Sequence, residues 1–274
     1  MKLLIPIMGL TAALAPVNAQ TTAADQAVLN DNSAGQDMGL NFPSPISKVQ
    51  SISLFVPESK TKEFWANYMD EKQMEYNVDE YLGDKEVAMP FILGVLLADG
   101  FFSVKAQDPE RLSNISDQIK VLATQLGATS ADIRKANEMV EYASSGKWGR
   151  VIMELNYLRF YIVRRLQKND SCALIMAGAW IQGANYVTGV VSDAGNESGS
   201  MILREPRLVG GLLELIEADG KESPFVDKIS TLLKGAKETV NVEIRGTVPL
   251  DQVAALETNL SALISDSVEE LKTK

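Results

Sequence analysis

Asp99 is the only charged residue in an apolar run of eighteen residues that extends from Val87 to Val104. A carboxylate buried in such a run costs several kcal/mol unless it is paired or takes up a proton, because its charged form loses water. Three uses fit this position: an anchor between helices, a ligand contact, or a general acid or base. Acid–base catalysis usually needs a second carboxylate across a cleft, so we favour the anchor.

The segment "WGRVIMELNYLRFYIVRRLQK" (148–168) contains side chains that could pair with the Asp99 carboxylate. Its apolar residues recur at helical spacing, and Arg159 lies on or beside that apolar stripe. We therefore predict that Arg159 is the partner of Asp99, with the hydroxyl of Tyr161 as an alternative donor. The same segment holds a carboxylate, Glu154, which we expect to pair with Arg150 four residues earlier.

A second unusual stretch, "GAWIQGANYVTG" (178–189), places aromatic rings and amides on a helix of small residues. Such a mixture is typical of a pocket for a small polar or sugar-like ligand. The alternative is that the rings fill the core while their polar atoms bond to neighbouring groups. The two stretches and the 148–168 segment together give the candidate binding residues Asp99, Arg159, Tyr161, Trp180, Gln182, Asn185 and Tyr186.

The chain contains no histidine, which excludes Ser-His-Asp and Cys-His catalysis and the HExxH zinc motif. We find no phosphate-binding glycine motif, no GxSxG and no EF-hand loop, and "DAGNES" (193–198) is typical of a turn. No cofactor and no metal site are predicted. Cys172 is the single cysteine, so no internal disulfide forms.

The first nineteen residues combine a basic start, an apolar stretch and small residues ending at Ala19, as in a secretory signal peptide. We therefore expect a periplasmic or secreted protein and a flexible tether over 20–47, which is rich in small and polar residues. The chain is acidic, with 36 acidic against 26 basic residues and a net charge of −10. That balance argues against a nucleic-acid partner.

Helical periodicity with matching start and stop signals dominates from residue 84 onward and predicts an all-α helical bundle. Residues 48–83 are expected to form an N-terminal arm, strand-like or extended over "SISLFVP", followed by a first helix. The order of helices in 84–168 recurs in 169–274, for example at the acid-Pro helix starts around Pro109 and Pro206. This indicates two four-helix halves related by duplication, although capping signals alone would produce the same pattern.

Two uncharged or nearly uncharged segments, 87–104 and 172–191, meet the length test for a membrane span. Their glycines and polar residues, and the charged faces of the surrounding helices, favour instead the central helices of the two halves. We therefore predict no transmembrane span after signal cleavage. Small residues such as Gly94 and Gly178 would let the two helices cross closely.

Three motifs carry a resemblance to a known group: Gly94 with Asp99, "LATQLG" (122–127), and Trp180 with Gly183. In these the chain resembles an uncharacterised family of exported all-helical proteins of Gram-negative, Bacteroidetes-like bacteria. The resemblance covers about residues 50–195, and the sequence departs from the family's pattern after Val191. It implies a helical fold and an exported location, and it brings no known activity.

The leading functional hypothesis is a non-enzymatic binding or interaction protein of the cell envelope, whose partner is a protein or a small polar ligand. One alternative is a hydrolase or lyase that uses Asp99 with an arginine or a tyrosine. Another is a structural envelope protein. A polar pocket that reaches Asp99 would favour binding or catalysis, whereas a dry and fully paired Asp99 would favour a structural role.

Overall fold

The predicted helical segments are α-helices in the computed structural model, which describes residues 51–72, 76–166, 172–243 and 246–270. Within these ranges there is no β-strand, so the all-α prediction is confirmed. The helices are α1 (Lys62–Lys72), α2 (Ala88–Ala106), α3 (Pro109–Gln125), α4 (Ser130–Ser144), α5 (Trp148–Leu166), α6 (Cys172–Ala194), α7 (Pro206–Asp219), α8 (Pro224–Thr239) and α9 (Leu250–Glu270).

The capping signals read from the sequence set the helix ends. The Asp108 carboxylate accepts a hydrogen bond from the Arg111 amide at 3.0 Å, and Pro109 is the first residue of α3. Ser223 caps α8 in the same way, through a 3.3 Å bond from the Phe225 amide. Such side chains satisfy amides that the first helical turn leaves unpaired. Gly127, at φ 97°, takes the left-handed conformation that ends α3.

The N-terminal arm differs from its predicted extended form, because residues 51–55 are helical and Pro57–Lys60 is a short 3₁₀ helix. Ile52 and Val56 are buried whereas Leu54 is 77% exposed. Residues four apart share a helical face, so the same apolar positions that suggested alternation are satisfied by a helical turn. The segment packs on the bundle, and the Phe55 carbonyl accepts a 2.6 Å bond from the Asn196 side chain.

Helices α2 and α6 cross at the centre of the bundle with their backbones in contact, as the small residues predicted. A Cβ atom at Gly94 would lie 2.9 Å from the Ala179 amide nitrogen. One at Gly178 would lie 3.2 Å from the Val95 amide nitrogen. Glycine is therefore required on both sides of the crossing, because any side chain would push the helices apart.

Helices α2 and α6 are also the two described helices that are long and apolar enough to cross a membrane. In each, 94% of the most apolar stretch is buried inside the structure. The surrounding helices are amphipathic, with rows such as Leu112, Ile115 and Ile119 of α3 turned inward. This burial favours the prediction that both are core helices of the bundle.

The predicted halves contain helices α2–α5 and α6–α9, and the described residues all belong to one compact unit. The division into halves and their origin by duplication stay predictions. The predicted signal peptide (1–19) and tether (20–47) lie outside the described residues.

Candidate functional site

Asp99 is fully buried on α2 and is held by two side chains of α6. Its Oδ1 atom accepts a hydrogen bond from Gln182 Nε2 at 2.7 Å and one from the Tyr186 hydroxyl at 3.1 Å. Its Oδ2 atom has no hydrogen-bond partner among the described residues. Asp99 is thus half paired, and both of its donors are neutral.

The helix crossing explains why these three residues meet. On α6, Gly178, Gln182 and Tyr186 are spaced by four residues and therefore share one face. On α2, Val95 and Asp99 are spaced in the same way, and Val95 lies against Gly178. One turn beyond the glycine contact, Asp99 of α2 faces Gln182 of α6, and Tyr186 follows one turn further along α6.

Burial raises the pKa of Asp99 from 3.8 to about 7. The hydrogen bonds from Gln182 and Tyr186 and the positive charge of Arg111 act in the opposite direction, but they are the smaller effects. Loss of water around a buried carboxylate is the dominant cause. The side chain therefore titrates near neutral pH. Protonation removes its negative charge, so it does not need the cationic partner that we expected.

The predicted pair of Asp99 with Arg159 is wrong. No ion pair joins these two described residues, and the bonds to Asp99 come from α6 instead. Helix α5 approaches α2 on the side of Gly100, where a Cβ atom would be 3.1 Å from Leu155. Neighbouring residues of a helix point about 100° apart, so that side is not the side of Asp99.

The other predicted site residues are not gathered around Asp99. Tyr161 on α5 is 38% exposed, and no hydrogen bond joins it to Asp99 in the described part of the chain. Trp180 is buried in the main core, and Asn185 accepts a 2.8 Å bond from Ser261 on α9. Of the seven candidates, the structure therefore brings together Asp99, Gln182 and Tyr186.

Glu154 also has a partner other than the predicted Arg150. Its carboxylate forms a 3.0 Å ion pair with Lys135 of α4, and its side chain is 8% exposed. Arg150 is exposed. The pair therefore links two helices, and the Glu154 carboxylate is bound to Lys135 instead of to Asp99.

A pocket of ≈ 530 Å³ lies between α1, α2 and α3, and we call it the α1–α3 pocket. Met69, Leu96 and Ile115 form its apolar part. Its polar lining consists of Asp70, Tyr76, Asp108, Glu110, Arg111, Asn114 and Gln118. The volume is in the range of small-molecule sites, roughly 300 to 1,000 Å³. Leu96 is on α2 one turn before Asp99, so the pocket approaches Asp99 without including it.

Tyr76 connects the α1–α3 pocket to the surroundings of Asp99. Its side chain lines the pocket, is 7% exposed, and its hydroxyl has no hydrogen-bond partner among the described residues. Burial raises the pKa of Tyr76 well above its ordinary value, and the negative charge of Asp99 raises it further. A buried hydroxyl without a partner is unfavourable, so a hydrogen bond from a bound molecule that reached it would be stabilising.

None of the polar residues of the α1–α3 pocket was predicted from the sequence. Tyr76 lies in "MEYNVDEYLG", which has no helical period, and Arg111 and Asp108 appear only as parts of a helix start. The one signal is that Tyr76 and Tyr81 are large aromatic residues in an otherwise polar segment. The structure buries both.

In the described ranges, no group of three or more cysteine or acidic side chains is arranged to hold a metal ion. No protein-family model matches this chain, and neither a curated protein nor a solved structure matches it. The resemblance to exported helical proteins therefore stays a prediction. What the protein does has to be argued from the α1–α3 pocket and from Asp99.

Proposed function

We propose that this protein is a non-enzymatic, exported binding protein that holds a small polar ligand in the α1–α3 pocket. The observation that carries the proposal is the pocket of ≈ 530 Å³, whose lining combines three apolar residues with seven polar ones. One of the lining residues, Tyr76, has a buried hydroxyl with no hydrogen-bond partner among the described residues. A ligand atom that reaches the Tyr76 hydroxyl and bonds to it would gain about 1 kcal/mol, the value of a neutral hydrogen bond.

The position of Asp99 supports binding rather than catalysis. Asp99 is 0% exposed and is absent from the pocket lining, so a ligand in the α1–α3 pocket does not touch it. A general acid or base has to reach the proton that it transfers, directly or through one water. Asp99 anchors the crossing of α2 and α6, and the pocket beside it receives the ligand.

The binding function is tested with the intact protein purified under non-denaturing conditions. Mass spectrometry of the extracted small molecules and a thermal-shift screen of polar compounds are compared between the wild type and two variants. Asn114→Trp fills the pocket mouth with a bulky ring, since Asn114 is exposed and lines the pocket. Gln125→Trp adds the same ring to an exposed position of α3 outside the pocket.

We expect at least one small molecule that the wild type and Gln125→Trp bind and that Asn114→Trp excludes. If neither the extract nor the screen yields a molecule that depends on position 114, the α1–α3 pocket is not a ligand site. Export is tested separately by cell fractionation and N-terminal sequencing, which should give a mature chain beginning at Gln20.

A further inference from the structure

The α1–α3 pocket has more acidic than basic groups in its lining. Asp70, Asp108 and Glu110 contribute three carboxylates, whereas Arg111 is the single basic side chain among the lining residues. Arg111 is already bonded to two of the three, because its guanidinium contacts Asp70 and lies 3.3 Å from the Asp108 carboxylate. The pocket therefore keeps a surplus of negative charge after its internal ion pairs are counted.

The charges are also layered within the pocket. The Arg111 side chain is 16% exposed, whereas that of Asp108 is 30% exposed and that of Asp70 is 65% exposed. An incoming molecule thus meets the Asp70 and Asp108 carboxylates before it meets the guanidinium. A carboxylate has about four acceptor positions, so oxygens that bond to Arg111 can still accept from a ligand.

Two further groups of the lining residues can accept hydrogen bonds. The Gln118 Oε1 atom, which can only accept, has no hydrogen-bond partner among the described residues, since its Nε2 atom donates to Asn114 at 2.7 Å. The buried Tyr76 hydroxyl is also without a partner. A ligand that carries several N–H groups could donate to both oxygen atoms.

We infer that the α1–α3 pocket binds a small organic cation, a primary amine or a guanidinium compound, with Asp70, Asp108 and Glu110 facing its charge and Tyr76 and Gln118 accepting its N–H groups. This inference rests on the proposed function, because it names the chemical class of the ligand of the same site. The absence of a metal-binding cluster in the described residues and a volume of ≈ 530 Å³ favour an organic molecule over a bare ion.

The inference is tested by isothermal titration of the intact protein with matched probes. Agmatine and 1,4-diaminobutane supply guanidinium and amine groups, 1,4-butanediol is the neutral counterpart, and succinate is the anionic one. We expect the cationic probes to bind at least about tenfold more tightly than butanediol, since charge-assisted hydrogen bonds are about twice as strong as neutral ones. Succinate should not bind.

Three variants distinguish specific binding in the α1–α3 pocket from nonspecific attraction of cations to an acidic protein. Glu110→Gln removes one pocket charge and should weaken agmatine by about two- to fivefold. Asp117→Asn makes the same charge change on α3 outside the pocket and should leave affinity unchanged. Tyr76→Phe removes the buried hydroxyl and should weaken agmatine by about two- to tenfold. Equal losses in Glu110→Gln and Asp117→Asn would overturn the assignment.

Failure of this inference is distinguishable from failure of the proposed function. If a neutral or anionic compound binds and Asn114→Trp blocks it, the pocket is a ligand site and the cation assignment is wrong. If no class of compound depends on position 114, both are wrong. Loss of folding in Tyr76→Phe, visible by circular dichroism, leaves Glu110→Gln against Asp117→Asn as the deciding comparison, because both positions are exposed.

Discussion

Replacing Asp99 by asparagine should change how the stability of the protein depends on pH. The pKa of Asp99 is about 7 in the folded protein, against an ordinary value of 3.8 that applies to the unfolded chain. Between those two values the folded state holds a proton that the unfolded state has lost. Rising pH therefore favours unfolding across this window, and the free energy of unfolding falls.

The size of the effect follows from the difference in pKa. One pKa unit corresponds to about 1.4 kcal/mol, so the whole window from 3.8 to about 7 costs the wild type about 4 kcal/mol. The stability gained by keeping the carboxyl neutral is fully present below pH 3.8 and fully lost once the pH exceeds about 7. From about pH 5 to about pH 8 the loss is about 3 kcal/mol.

The asparagine side chain in Asp99→Asn does not titrate and has the same acceptor for Gln182 and Tyr186. Its amide nitrogen takes the place of Oδ2, which has no partner among the described residues, and this costs about 1 kcal/mol at every pH. All other titrating groups are common to both proteins. The difference in unfolding free energy between variant and wild type therefore isolates Asp99 and should move by about 3 kcal/mol in favour of the variant.

The assay is equilibrium urea unfolding followed by circular dichroism at about pH 5 and about pH 8, conditions that span the upper part of the titration. Asp79→Asn, at an exposed carboxylate, is the control and should run parallel to the wild type. Parallel curves for Asp99→Asn would refute the reasoning, because Asp99 would then have the same pKa in both states. NMR of the Asp99 carboxyl carbon gives that pKa directly if the variant does not fold.

Two other features give direct tests. Gly94→Ala and Gly178→Ala should each destabilise the protein by about 3 kcal/mol or more in urea unfolding, because a Cβ atom would strike the backbone of the other helix. Gly183→Ala, with no atom within 4 Å of its Cβ position, should stay within about 1 kcal/mol of the wild type; equal effects would contradict the close crossing. Burial raises the pKa of Cys172 to about 12, so a thiol reagent at neutral pH should label the folded protein far more slowly than the urea-unfolded one. Similar rates would show that the thiol is accessible.

The helices could be predicted because their signals are local. Caps such as Asp108 and Ser223, prolines at first helical positions and regular apolar spacing act within one or two turns. The crossing of α2 and α6 was also predictable, since Gly94 and Gly178 have no local reason to interrupt apolar helices. The helical turn at 51–55 was not, because residues 52 and 56 fit both an alternating strand and a single helical face.

The partner of Asp99 was mispredicted for an energetic reason. We expected a cation because a buried charge needs one, and Arg159 was the nearest candidate in type and spacing. The protein instead avoids the charge by raising the pKa of Asp99, which needs only neutral donors. The α1–α3 pocket was beyond sequence reasoning because its residues come from three helices and the segment around Tyr76, and its polar residues other than Tyr76 look like ordinary surface residues in the sequence.

The glycine contact and the Asp99 contact favour the same register of α2 against α6. A slide of one turn would bring Leu174 or Gln182 to the place of Gly178, where a Cβ atom meets the backbone of α2. The same slide would separate Asp99 from at least one of its two donors, Gln182 and Tyr186. A buried polar group without a partner costs about 1 to 3 kcal/mol, so the polar contact adds to the register that the glycines set. Asparagine at position 99 can keep that register, which is why its effect should appear in the pH dependence and not in the fold.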